Sequence, residues 1–362
     1  MRFRSFEFLV AAWFFMFGAS IGSFLNVVIY RSPQGLSLLG SSRCPFCRSK
    51  IRSYHNIPVF AWIALRGRCR DCRLPISSRY PVIEFATGLI FVVLAIFELF
   101  LAGENLPADY GDLRLNITWL MGRVPLDLVA VFLYHATLLS ILLSWAMIKF
   151  DGHVLPRFYM FLALAVGLAV PAVNGSVQPV SWVSTVPAWI AEYGWMVRLD
   201  TSVVGLAVGL VTGLAFSSIR VVNKPSPTQR PGYVRDAMAM FGIVGLYLGW
   251  QAVLSVVGIV ACARLLSALG TAGKPETGRF GAKPPFGGDS KSAIPSSIVF
   301  IYLLLAAAAQ ILLWDQLAQA TWWPGPNCSA LAVAVVAAMA ALLTLAADGI
   351  ERLSLPSGDI PE

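Results

Sequence analysis

Long apolar stretches separated by short polar ones dominate the chain. Runs of mostly Leu, Val, Ala, Phe and Ile cover 8–30, 81–102, 126–148, 157–173, 202–222, 236–268, 296–314 and 328–347. A helix of about 20 apolar residues crosses a hydrocarbon layer. A membrane barrel would instead show short alternating segments. The pattern therefore predicts an all-α polytopic membrane protein with about eight transmembrane helices. The stretch 236–268 is too long for one upright crossing, since 33 helical residues extend about 50 Å. Gly249-Trp250-Gln251 interrupts it, so it is one long helix or two short ones with a turn, and the span count is eight or nine.

Composition agrees. Of 362 residues, 57% are hydrophobic and 13% charged, with a mean hydropathy of +0.71. A soluble domain carries about 25% charged residues. The net charge of +8 has to be read by position, because Lys and Arg collect in cytoplasmic loops of membrane proteins. It gives no reason to expect nucleic acid. The segment 31–80 holds ten basic residues and one acid, Asp71, which predicts a cytoplasmic loop. The loop 103–125 suits the outside, and 149–157 and 219–235 return inside. Arg2 and Arg4 oppose this orientation and are outnumbered. The run after them is long for a signal peptide and reads as a retained helix. Trp322 and Trp323 read as anchors at the outer interface, and the Gly-, Pro- and Lys-rich 269–295 as a flexible loop. The chain divides into a first transmembrane helix (1–30), a cytoplasmic loop (31–80), a helix bundle (81–347) and a tail (348–362).

The loop carries the most specific motif. Cys44-Pro45-Phe46-Cys47 and Cys69-Arg70-Asp71-Cys72 form C-x2-C-x21-C-x2-C. Arg48 and Ile51 follow the first pair as Arg73 and Ile76 follow the second, so the two are a small repeat. Two residues between cysteines let one turn aim both thiolates at one ion, and two such turns supply the four-sulfur shell of Zn2+. Four protein ligands leave no open position, so the predicted zinc is structural. A reducing cytoplasm disfavours disulfides. The remaining cysteines, Cys262 and Cys328, lie in apolar surroundings and read as packing residues.

Several residues flank these knuckles. Gly18-Ala-Ser-Ile-Gly22-Ser-Phe-Leu-Asn26-Val-Val-Ile-Tyr-Arg31 closes the first run. Asn56-Ile-Pro58 and Trp62 lie between the pairs. Arg66-Gly-Arg68-Cys69, Pro75-Ile-Ser77 and Arg79-Tyr80-Pro81-Val-Ile-Glu84 complete the set. Over roughly residues 15–95 the chain resembles the bacterial prepilin peptidases, the type 4 leader peptidases. The resemblance implies a multi-pass protein of the bacterial inner membrane with its zinc loop on the cytoplasmic side. It implies an aspartic endopeptidase that cuts basic leaders from precursors of type IV pilins or type II secretion pseudopilins. Many members then methylate the new amino terminus with S-adenosylmethionine, so that cofactor accompanies a methyltransferase activity. Precursor proteins and the lipid bilayer are the implied partners.

The resemblance also implies two catalytic aspartates, and here the sequence departs from the family. Two close carboxylates share a proton, one activating water and the other donating to the scissile carbonyl. The first is expected before a Leu-Pro-Asp turn. Counting back from Pro156, that position falls on Lys149; Asp151 lies two residues later, and Arg157 replaces the trailing Asp. Two residues turn a helix by about 200°. The second is expected in a Gly-x-Gly-Asp turn ahead of a helix ending in Leu248-Gly249-Trp250-Gln251. Gly232-Tyr233-Val234-Arg235-Asp236 stands there, without the glycine before the aspartate and one residue further from the Trp. Asp151 and Asp236 are the candidate pair; their bland roles are an interfacial turn residue and a helix cap. Glu84 is a candidate contact for the substrate's amino terminus, or a salt-bridge partner of a loop Arg. His135 reads as a lone packing histidine. Pro285-Phe286-Gly287 resembles a short family segment. Three functional readings follow: an active leader peptidase, a non-catalytic relative that binds or scaffolds pilin precursors, and a zinc-stabilised membrane scaffold or transporter unrelated to proteolysis, against which the resemblance over 15–95 argues.

Overall fold

The computed structural model describes residues 5–44, 46–108, 125–178, 180, 194–223, 230–271, 298–320, 323 and 330–353. Among these the chain is helical, with only two isolated bridges, Arg43 to Lys50 and Arg68 to Pro75, in the cysteine loop. The helices are α1 (Ser5–Arg31), α2 (Phe60–Ala64), α3 (Arg79–Leu94), α4 (Leu126–Phe150), α5 (Arg157–Val173) and α6 (Gly194–Asn223). They continue with α7 (Arg230–Thr271), α8 (Ile298–Leu312), α9 (Trp314–Ala318) and α10 (Ala330–Leu353). A π-helical turn, Ala95–Phe100, extends α3. Five helices have the length and hydropathy to cross a membrane, and three apolar ones are shorter. Trp322, Cys328, Pro285-Phe286-Gly287, most of 269–295 and the tail beyond Leu353 lie outside the described residues. Trp323 is buried, so it packs inward rather than anchoring in an interface.

Helix α7 answers the question of one helix or two. A straight helix separates Phe241 from Arg264 by about 35 Å. Instead both meet Phe216 of α6: the Phe241 ring centroid lies 5.3 Å from it and the Arg264 guanidinium 5.6 Å. A Cβ placed on Gly245 would meet Val253 at 3.0 Å. The chain therefore reverses at Gly249, whose φ of 81° and ψ of 167° suit glycine. The limbs 230–248 and 250–271 run antiparallel, and each is long enough for one crossing.

Small residues set the closest packing. Gly205, Gly209 and Gly213 on α6 meet the backbone of the first limb at Gly245, Phe241–Gly242 and Met238. Their spacing of four puts them on one face, and each lacks the side chain that would hold the helices apart. The same device joins α1 to α3, where a Cβ on Gly22 would meet the Glu84 Cα at 2.8 Å. In the core Tyr134 and Tyr247 stack at 4.3 Å between ring centroids. Their hydroxyls donate to the Gly167 and Ala163 carbonyls of α5, so neither polar tip is stranded.

Candidate functional site

The cysteine loop forms two matching knuckles. Each is closed by the amide of its first cysteine, from Cys44 to the Ser49 carbonyl (3.0 Å) and from Cys69 to the Leu74 carbonyl (2.8 Å). Arg48 and Arg73 then turn back to the Cys44 and Cys69 carbonyls, both at 3.0 Å, with φ of 57° and 62°. The four sulfurs lie within 4.8 Å of one another, with Cys44 to Cys72 at 3.9 Å and Cys47 to Cys69 at 4.0 Å. A tetrahedral zinc with bonds of about 2.3 Å requires sulfur–sulfur edges of about 3.8 Å, so the residues fit that ion. The thiols also behave as a set. Hydrogen bonds from the Ser49 hydroxyl and amide lower Cys47 from 9.0 to about 6. At Cys72 the Leu74 amide lowers the value, burial and the other three sulfurs raise it, and the net is a rise to about 11. Four sulfurs this close resist joint ionisation, and a dication removes that conflict. Zinc would cross-link the knuckles; it leaves no position open for substrate.

The residues between the knuckles tie this loop to the bundle. The Trp62 indole donates to the Ile76 carbonyl at 3.0 Å and lies under Gly67. Asn26 of α1 donates to the Tyr80 carbonyl at 3.1 Å. The amide of Val59 donates to Glu84 Oε2 at 2.7 Å. Val59 carries a φ of 64°, strained for a β-branched residue. Glu84 therefore holds a strained turn at the mouth of α3 through this amide.

The second centre lies where α4, the 151–156 turn and the first limb of α7 meet. Asp236 is fully buried, in the second turn of α7 and not at its cap. Lys149, in the last turn of α4, donates to its Oδ2 at 2.7 Å. The Leu155 amide approaches the same oxygen at 3.4 Å. Arg235 donates to Oδ1 from Nη2 at 2.8 Å and from Nε at 3.1 Å, and also to the Leu155 carbonyl at 2.8 Å. Both carboxylate oxygens are thus engaged by cations. The Lys149 ammonium also lies 5.8 Å from the centre of the Phe300 ring on α8. Asp151 caps α4 and is exposed; it pairs with Arg79 at the start of α3. The structure thus brings Lys149, not Asp151, onto Asp236, and gives the two aspartates separate cations. Arg157 opens α5 and is exposed.

Sequence reading missed three partners: Arg79 for Asp151, Arg235 for Asp236, and Glu98 for His135. His135 Nδ1 lies 2.7 Å from Glu98 Oε1, with both residues fully buried, so the lone-histidine reading is corrected. An acid inside an apolar run was the available signal, since such a residue needs a partner in a membrane.

The family model described as Bacterial Peptidase A24 N-terminal domain matches residues 16–97. Those residues hold both knuckles and every contact that ties them to α1 and α3. A prepilin leader peptidase/N-methyltransferase of Klebsiella pneumoniae is 30% identical over 254 residues, covering 68% of this chain and 89% of that protein. The chain belongs to the prepilin leader peptidase family. A Myxococcus xanthus relative with the same name is 30% identical over 272 residues, covering 73% of this chain and 66% of its own length. A leader peptide-processing enzyme for type 4 prepilin-like proteins from Escherichia coli is 28% identical, with 75% and 89% covered. No solved structure matches. The scaffold is that of an all-α multi-pass membrane protein.

Proposed function

We propose that this chain is a non-cleaving member of its family, which binds pilin-like or pseudopilin-like precursors through the bundle and the zinc loop. The observation that carries the reading is the 2.7 Å contact between Lys149 Nζ and Asp236 Oδ2. Proteolysis by two carboxylates needs a water between one ionised and one protonated group. Here an ammonium stands where the resemblance expects the first carboxylate. Asp236 is bonded to Lys149 and Arg235 instead of sharing a proton with a second acid. These cations favour an acidic side chain near the start of a precursor's apolar helix, so the site keeps a binding role. The resemblance and the ten basic residues of the loop support a place in the bacterial inner membrane with zinc on the cytoplasmic side. Methyl transfer from S-adenosylmethionine acts on an amino terminus that cleavage creates, so a non-cleaving chain has no such product to modify.

A second reading keeps activity, with Asp151 and Asp236 as a displaced pair. Its support is that Asp151 lies two residues from Lys149, the residue that touches Asp236. The two readings separate when a pilin-type precursor is co-expressed with the full chain in membranes and cross-linked. The first predicts a cross-linked precursor that retains its leader. Leader-free product with the wild-type chain, lost in Asp151→Asn or Asp236→Asn, would establish the second.

A further inference from the structure

The cysteine loop carries exposed apolar side chains that its own fold leaves uncovered. Ile57, Phe60 and Ile63 are 45%, 55% and 60% exposed, and Phe60 and Ile63 share one face of the short helix α2. Their height in the molecule is fixed. Val59, the residue before α2, is bonded to Glu84, which lies inside the apolar span Arg79–Phe100. Glu84 also lies against Gly22 of α1, another membrane-length helix, where a Cβ would meet the Glu84 Cα at 2.8 Å. Helix α2 is therefore held at the level where α1 and α3 enter the apolar layer.

Charge supplies the second observation. Arg43, Arg48, Lys50, Arg52, Arg66, Arg68, Arg70 and Arg73 are all exposed, and Asp71 is the only acid in 31–80. Among the described residues none of the eight lies within ion-pair distance of a carboxylate. A short helix with an apolar face at interfacial depth, bordered by cations, matches a surface that is apolar beneath and anionic above.

We propose that α2 and the basic knuckles form a docking surface for anionic lipid headgroups of the adjoining leaflet. Phe60 and Ile63 insert at the boundary, and the arginines bind lipid phosphates. Both ends of the loop are already fixed in the membrane by α1 and α3, so the contact is intramolecular in effect and weak individual attractions suffice. The zinc knuckles would then be held in a fixed orientation over the bundle mouth.

The test places the full, zinc-loaded chain in nanodiscs of phosphatidylcholine alone or with phosphatidylglycerol, and follows amide exchange of the 57–65 segment. The expected result is slower exchange with phosphatidylglycerol, reversed by salt. Removal of cations in Arg66→Gln and Arg68→Gln should lower the protection roughly fivefold per charge. Ile63→Asn should remove it while zinc content stays unchanged. If that variant loses zinc, the two arginine variants and the salt series decide. Equal exchange in both lipids, indifference to salt, or protection that needs an added acidic peptide would overturn the proposal.

Discussion

Lys149 and Asp236 are 87 residues apart in sequence and 2.7 Å apart in space. The carboxylate is fully buried, and the ammonium is 12% exposed. Breaking such a buried pair from one side costs about 3 kcal/mol or more, whereas replacing both partners by apolar groups is often neutral. Lys149→Met should therefore lower the thermal midpoint in detergent, with Arg235 limiting the loss. Asp236→Leu added to Lys149→Met should recover part of it, because Arg235 then keeps only the Leu155 carbonyl. A strictly additive double-mutant cycle would show that the pair is not coupled.

The pair Glu98 and His135 invites the same cycle at a different depth. Glu98 sits on the π-helical turn after α3, and Oε2 of Glu98 and Nε2 of His135 have no partner among the described residues. Each side chain therefore depends on the other. Glu98→Leu or His135→Leu alone should destabilise by about 3 kcal/mol, and the double change by less than either. Equal, additive losses would return His135 to a packing role.

Zinc retention should follow the protonation of Cys47. Its value is held at about 6, below the ordinary 9.0, first by the Ser49 hydroxyl and then by the Ser49 amide. A lowered value gives a contribution that is complete above 9.0 and lost as pH falls through about 6. Protons compete with metal for thiolates, so zinc, which itself favours the thiolate, should be released on acidification only below that value. Ser49→Ala removes the hydroxyl bond and should move release to higher pH, as measured with a chromogenic chelator. An unmoved release curve would contradict the assignment.

The glycine face of α6 can be tested by adding carbon. A Cβ on Gly209 falls well inside contact distance of the Phe241 carbonyl, which belongs to backbone and cannot rotate away. Gly209→Ala should cost about 1–3 kcal/mol by overpacking. Gly258 has nothing within 4 Å of its Cβ position, so Gly258→Ala should be neutral or slightly stabilising by helix propensity. Equal effects at both positions would contradict the packing described.

Much of this architecture is legible in the sequence because a membrane constrains it strongly. A span must be predominantly apolar, so the runs marked the helices, although α6, α7 and α10 extend six to eight residues beyond their runs at one end. The four cysteines were legible for a similar reason, since one ion fixes both spacing and residue type. The reversal at Gly249 stayed open because a long helix and a hairpin share one apolar pattern. The Gly249 backbone, Val253 against Gly245 and the shared ring of Phe216 separate them. Lys149 in the expected first aspartate position puts positive charge at the site, but which cation closes on Asp236 stayed open for a different reason. Counting along the chain places a residue in a motif but does not say which cation a buried carboxylate will choose. Arg235, its immediate neighbour on α7, bonds both that carboxylate and the Leu155 carbonyl of the 151–156 turn.

In the proposed non-cleaving role, Lys149 and Arg235 stand in place of a second acid at Asp236. The most direct measurement is leader cleavage of a pilin-type precursor in membranes by the wild-type chain and by the Lys149→Asp, Arg235→Gly double variant. That variant removes both cations and sets a second carboxylate opposite the first, behind a restored glycine. The wild type should not cleave, and the variant should cleave measurably. Efficient cleavage by the wild type, abolished by Asp236→Asn, would contradict it.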